Sequence, residues 1–173
     1  MGTKVFRVII GIIIGCALLV GIYFILPGKY HYRIKEFLQG MFNKNYKAVC
    51  RELKTKTVPG YPNVTFDTLM KKGTEGSAWT ADELAVDKAG NGTYQVYADG
   101  YNVDLDLEHV MNDDTTQSYS RAHVRLVFNV DYYEKKLTNI KLVKIKVEQD
   151  NYVPSDKYYE EILEGLVERA VGK

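Results

Sequence analysis

Residues 101–108, YNVDLDLE, and residues 121–128, RAHVRLVF, carry the pattern that decides the fold class. In the first run Tyr101, Val103, Leu105 and Leu107 alternate with Asp104, Asp106 and Glu108; in the second, Ala122, Val124, Leu126 and Phe128 alternate with Arg121, His123 and Arg125. A period of two puts alternate side chains on opposite faces of a strand. Reflecting one run onto the other about Asp114-Thr115 sets Val103 against Leu126 and Leu105 against Val124. The same register sets Asp104 against Arg125, Asp106 against His123 and Glu108 against Arg121. One antiparallel pairing therefore satisfies an apolar face and a charged face together, and it predicts a hairpin whose solvent side is a ladder of those six residues.

The neighbouring segments extend this sheet. Residues 79–88 and 93–107 flank Gly90-Asn91-Gly92, a hairpin signal; a three-residue turn pairs Val86 with Val96 and Leu84 with Ala98, like with like. A fourth strand, residues 137–148, switches the phase of its apolar residues near Leu142, which predicts a bulge and a curved sheet. Pro154 ends the strand and Ser155-Asp156 caps a helix over residues 157–170 with Tyr159, Ile162, Leu163, Leu166 and Val167 on one face. That helix covers the sheet or offers Tyr159, Ile162 and Leu166 as a partner surface.

Before the sheet, residues 29–53 repeat apolar positions at three- and four-residue steps, with a break at Asn43 to Asn45 where a second helix can be capped. Residues 55–76 hold Pro59, Gly60, Pro62, Gly73 and Gly76, the signature of a loop, with one short helix near residues 66–72. Such a loop closes one end of a sheet or lines a pocket.

The chain opens on residues 8–26, VIIGIIIGCALLVGIYFIL, nineteen positions without a formal charge. As a helix they span about 28 Å, the thickness of a hydrocarbon core, so the expectation is a transmembrane anchor. The core is too long for a cleaved signal peptide and lacks a small-x-small site. Ile13-Ile14-Gly15-Cys16 has the form of a lipoprotein box, but the chain stays apolar from Ala17 to Leu26. Gly11 and Gly15 form a small-xxx-small motif for packing on a second helix. The expected organisation is a basic tail (1–7), the anchor (8–27) and one domain (28–173). Counting Lys29, Arg33, Lys35, Lys44 and Lys47 against Lys4 and Arg7 would keep the carboxyl side inside, but the short basic amino terminus has the form of an uncleaved signal anchor and long domains translocate despite their charge, so the domain is expected outside the cytoplasm.

Composition narrows the function classes. Beyond Lys4 and Arg7 the chain has 21 basic against 22 acidic residues, so nucleic acid is not an expected partner. Cys50 is the only cysteine outside the apolar stretch, which excludes a disulfide framework and a thiolate metal cluster. Burial in a helix is the expected role of Cys50. Fourteen tyrosines suit a broad sheet, with Tyr23, Tyr30 and Tyr32 at the membrane surface. Asn63-Val64-Thr65 and Asn91-Gly92-Thr93 fit a glycosylation triplet, and Asn112 to Asp114 read as a polar loop tip. No cofactor is implied.

The corner from Phe37-Leu38 to Asn45-Tyr46-Lys47-Ala48, followed by a curved antiparallel sheet, resembles the opening of cystatin-like and nuclear-transport-factor-2-like domains. Single-anchor members of that superfamily are similar to assembly subunits of type IV secretion and conjugation machines. The resemblance covers residues 29–148 and implies an α+β fold, with helices on a curved four-stranded antiparallel sheet; the C-terminal helix from Ser155, read from its own pattern, departs from the family's minimal form. It implies a non-catalytic scaffold of the cell envelope that self-associates and recruits other membrane proteins. Contacts are expected through the anchor, an exposed sheet edge or the terminal helix. A tethered module holding a small apolar ligand or peptide between helices and sheet is the alternative. An isomerase, a third reading, requires His109, His123 or an aspartate to point inward beside a tyrosine.

Overall fold

In the computed structural model, residues 13–15, 17–18, 20–107 and 117–172 are described. Two helices meet at the expected corner. Helix α1 (Gly28–Phe42) stops where Asn43 turns extended, and α2 (Lys44–Lys54) begins there, with Asn43 Oδ1 accepting from the Tyr46 N–H at 3.0 Å. An asparagine cap of this kind contributes about 1 kcal/mol. Tyr46, Val49, Cys50 and Leu53 face inward at three- and four-residue spacing. The next segment, expected as loop, holds a short ribbon of β1 (Thr57–Val58) and β2 (Tyr61–Thr65), turned at Gly60. It then enters the expected helix, α3 (Phe66–Lys72), capped by Thr65.

The main sheet is open and wholly antiparallel, in the order β3 (Ser77–Val86), β4 (Gly92–Leu107), β5 (Gln117–Tyr133), β6 (Lys136–Val147) and β7 (Asp150–Tyr152). Five strands replace the expected four. Strand β7 is three residues long and carries Asp150 and Asn151, poor strand formers, so pattern alone did not reveal it. It pairs because Glu148, at φ 53°, turns the chain back on Ile145 to Val147. Helix α4 (Lys157–Val171) follows, capped by Asp156 and ended by Gly172 in the left-handed region.

The expected transmembrane helix is also corrected. Among the described residues no helix is long and apolar enough to cross a membrane. Residues 13–15, 17–18 and 20–25 are helical up to Leu26 and Pro27, and residues 8–12, 16 and 19 of the apolar stretch lie outside the described residues.

Both hairpin registers differ from expectation, for traceable reasons. Between β3 and β4 the turn is five residues, because the Asp87 carboxylate accepts from the N–H groups of Ala89 and Asn91, each at 2.8 Å. Ala81 and Trp79, in place of Val86 and Leu84, then oppose Val96 and Ala98. A bulge between Glu83 and Ala85 leaves Leu84 exposed. Between β4 and β5, Asn102 and Arg121 both lie at positive φ, 52° and 54°, and interrupt the ladder. Arg125 pairs with Asp99 instead of Asp104, Val103 with Ala122 instead of Leu126, and Leu105 with Tyr119 instead of Val124. The bulge expected near Leu142 is present: Leu142 faces Phe128 and Lys144 faces Val127, with Val143 left over.

The core lies between one face of the sheet and the helices. Trp79, Tyr94, Leu126, Phe128 and Ile145 meet Val49 and Leu53 of α2, Phe66, Leu69 and Met70 of α3, and Ile162 and Leu166 of α4. Phe66 stands edge-on to Phe128 at 4.8 Å. At Gly73 the backbones of α3 and α4 nearly touch; a Cβ there would sit 2.7 Å from the Leu166 carbonyl oxygen. Only glycine permits that crossing.

Candidate functional site

Two features stand out beyond the core. The first is a charged cluster on the face of the sheet turned away from it. Asp99 is buried completely. Its Oδ1 takes the Arg125 Nε–H at 2.7 Å and lies 2.7 Å from His123 Nε2, while Oδ2 accepts from Arg125 Nη2 at 3.3 Å. Aromatic rings enclose the cluster. His123, Tyr32 of α1 and Tyr101 of β4 form a triangle of rings, with the imidazole 5.1 Å from each tyrosine and the tyrosines 6.0 Å apart, and the guanidinium lies over Tyr32 at 4.8 Å and Tyr97 at 5.1 Å. Burial opposes the charge on Arg125, but the hydrogen bonds and charge of Asp99 outweigh it and hold the guanidinium above its ordinary value. Burial, then the Asp99 charge, pushes the Tyr101 hydroxyl well above the tyrosine range, and that hydroxyl is buried without a partner.

This cluster ties α1 to the sheet. Farther along, α1 seals the β3 edge: the Gln39 amide donates to the Ala81 carbonyl at 3.0 Å and accepts from its N–H at 3.2 Å, as a neighbouring strand would. Asn43 donates to Glu83 and Lys35 pairs with Asp82 at 3.7 Å. Tyr46 donates to the Trp79 carbonyl. The exposed edge expected as a docking site is therefore covered here.

The second feature is the α1–α2 corner. Phe37, Met41 and Phe42 are 67%, 60% and 82% exposed. Phe37 and Met41 line a cleft of about 340 Å³ with Gly40, Tyr46, Lys47 and Arg51. Lys44, Lys47 and Arg51 stand exposed along α2. Cys50 lies at the cleft floor, buried; desolvation pushes its thiol up to about 12, with Lys54 opposing and Glu36 assisting.

The sequence-predicted residues fall as follows. His123 and Arg125 do pair with an acid, but it is Asp99. Asp104 accepts from the Arg121 N–H at 2.7 Å, and Asp106 is exposed opposite Ser118. Glu108, His109 and Gly11 lie outside the described residues, as do Asn112 to Asp114. Gly15 has open space around it. Tyr159, Ile162 and Leu166 are buried in the domain's own core and offer no partner surface, because their face of α4 packs on α3 and the sheet. Tyr32, expected at the membrane surface, stacks on the sheet instead.

Sequence reasoning missed Asp99, and the available signal was weak. It is a lone acid between Ala98 and Gly100, and its partners are 24 and 26 residues away. Chemically the cluster is a clamp: two tyrosine rings lie against the imidazole, and its Nε2 is held by a carboxylate already engaged by arginine. Among the described residues no group of three or more His, Cys, Asp or Glu side chains is placed to hold a metal. The space between helices and sheet, where a small ligand was the alternative, is filled by Trp79, Phe66, Met70 and Phe128.

No family model, no curated protein and no solved structure matches this chain.

Proposed function

We propose that this chain is a non-catalytic assembly module of a membrane complex. Its apolar leader, residues 8–26, associates with a lipid bilayer, and the domain makes protein–protein contacts with its α1–α2 corner. The observation that carries this reading is the contrast between core and corner. Side chains fill the domain's interior, whereas Phe37, Met41 and Phe42 stand together in water on a helix that five polar and aromatic anchors hold in place. Clustered apolar side chains on a rigid element mark an interaction surface. The clamp at Asp99 supports the same role. It fixes α1, which follows the leader, against the sheet, so a partner bound at the corner is oriented with respect to the membrane.

The test is the native size of the protein in membranes. Mild chemical crosslinking before extraction in a gentle detergent is expected to give a complex larger than one copy, pelleting with the membrane fraction. A lone monomer, or a protein recovered from the soluble fraction, overturns the proposal.

A further inference from the structure

A second apolar groove lies far along the chain from the corner, and its charge is opposite. Tyr61, Pro62 and Val64 of β2 and Val167 and Val171 of α4 line a groove of about 370 Å³. Glu164 and Glu168 stand on its rim, and Glu160 is one turn before them on the same face. All three are exposed, and none is ion-paired to another described residue. Arg169, on the same helix, is turned away to the carbonyls of Gly73 and Asp104, and Lys157 stands at the helix start, one turn before Glu160. The three carboxylates act on Tyr61, whose hydroxyl is held above its ordinary value by burial first and then by Glu164, Glu168 and Glu160.

The corner is the complement of this groove. Lys44, Lys47 and Arg51 are exposed at steps of three and four along α2, likewise without an ion pair among the described residues, beside the exposed Phe37 and Met41. From Lys44 to Arg51 the helix rises about 10.5 Å, and from Glu160 to Glu168 about 12 Å. Three cations flanking apolar side chains thus face three anions flanking an apolar groove, at matching spacing.

We propose that the partner of the α1–α2 corner is a second copy of this chain, whose β2–α4 groove receives it. The inference rests on the assembly reading above and names its partner. Phe37 and Met41 enter the groove while Lys44, Lys47 and Arg51 meet Glu160, Glu164 and Glu168. The two patches differ, so each copy retains one free patch after pairing, and the contact propagates into a ring or a row.

The experiment uses the purified full chain in a neutral detergent, with its mass read by light scattering over a concentration series. The wild type is expected to associate, less so as salt is raised. Reversing the corner (Lys44→Glu, Lys47→Glu, Arg51→Glu) or the groove (Glu160→Lys, Glu164→Lys, Glu168→Lys) is expected to abolish association. Mixing the two variants restores association in alternating order, since the corner of each is again opposite in charge to the groove of the other. A chain carrying both reversals associates again, which also shows that the substituted proteins fold. A wild type that stays monomeric overturns the proposal while leaving the assembly reading to the membrane experiment. Association unaffected by either reversal, which would place the contact in the leader, overturns it. So does a corner reversal whose sole effect is loss of binding to anionic vesicles, which would make lipid the occupant.

Discussion

Asp99→Asn removes the charge at the centre of the clamp while keeping the side chain's shape. The amide retains one acceptor oxygen for the three nitrogens that contact the carboxylate and turns an NH2 group toward a guanidinium or an imidazole. Breaking a buried ion pair by removing one partner costs about 3–5 kcal/mol when the remaining charge stays dry. Arg125 keeps 22% of its side chain exposed, so water relieves part of that cost, and the lower end, about 3 kcal/mol, is expected. For a chain of this size each kcal/mol moves Tm by about 2–4 °C, which gives a drop of about 6–12 °C. The assay is thermal unfolding of the full chain by circular dichroism in a neutral detergent, with urea unfolding as the second probe. Arg125→Met, which strands Asp99 instead, is expected to be destabilising too. The double variant should cost less than the two losses added, with a coupling of about 1–3 kcal/mol. A shift below about 2 °C for Asp99→Asn, or strict additivity, refutes the clamp.

The other predictions concern single groups. Tyr101→Phe deletes a buried hydroxyl that has no partner, so stability is expected to hold or to rise by up to about 1 kcal/mol; a loss above about 1 kcal/mol in urea unfolding contradicts the packing described. Cys50, with its thiol pushed up to about 12, is expected to resist alkylation at pH 8 in the native protein and to react in denaturant, read peptide by peptide because Cys16 is the other cysteine. Prompt native labelling at Cys50 would show that the helix corner is open. Asp87 is held below its ordinary value, first by the Asn91 backbone N–H and then by the Asn91 side chain. A depressed carboxyl stabilises the fold above its unfolded-state value and loses that contribution as pH falls through the folded one. The stability gap between wild type and Asp87→Asn should therefore be present at neutral pH and close in acid, as measured by urea unfolding; a gap that persists in acid refutes the turn chemistry.

What could be read from the sequence was whatever local chemistry decides. The corner at Asn43, the helix after Thr65, the helix after Asp156 and the bulge near Leu142 each have a signal within a few residues: a capping side chain, a proline, a change of phase. Sheet register is not local in this sense. Two non-glycine residues in left-handed conformation, Asn102 and Arg121, and a carboxylate-ordered turn at Asp87 move the pairing away from the symmetric reflection. The symmetric solution was attractive because it paired Asp104 with Arg125 and Asp106 with His123. The actual one pairs both His123 and Arg125 with Asp99, an acid outside the alternating run. Helix α4 shows the converse limit, since an apolar stripe reads the same whether its own domain or a partner covers it. Tyr159, Ile162 and Leu166 are covered by their own domain. The exposed stripe is on α1, where Phe37, Met41 and Phe42 continue a pattern that looked equally like core.

The most direct measurement places a photoreactive amino acid at Met41 in the full chain and, as a control, at Asp106 on the charged face of β4. Cells expressing each protein are irradiated and the membranes examined for adducts. Contact through the corner predicts a protein adduct at Met41, lost when Phe37 and Phe42 are replaced by serine, and none at Asp106. Equal protein adducts at both positions, or lipid adducts alone at Met41, would contradict the account.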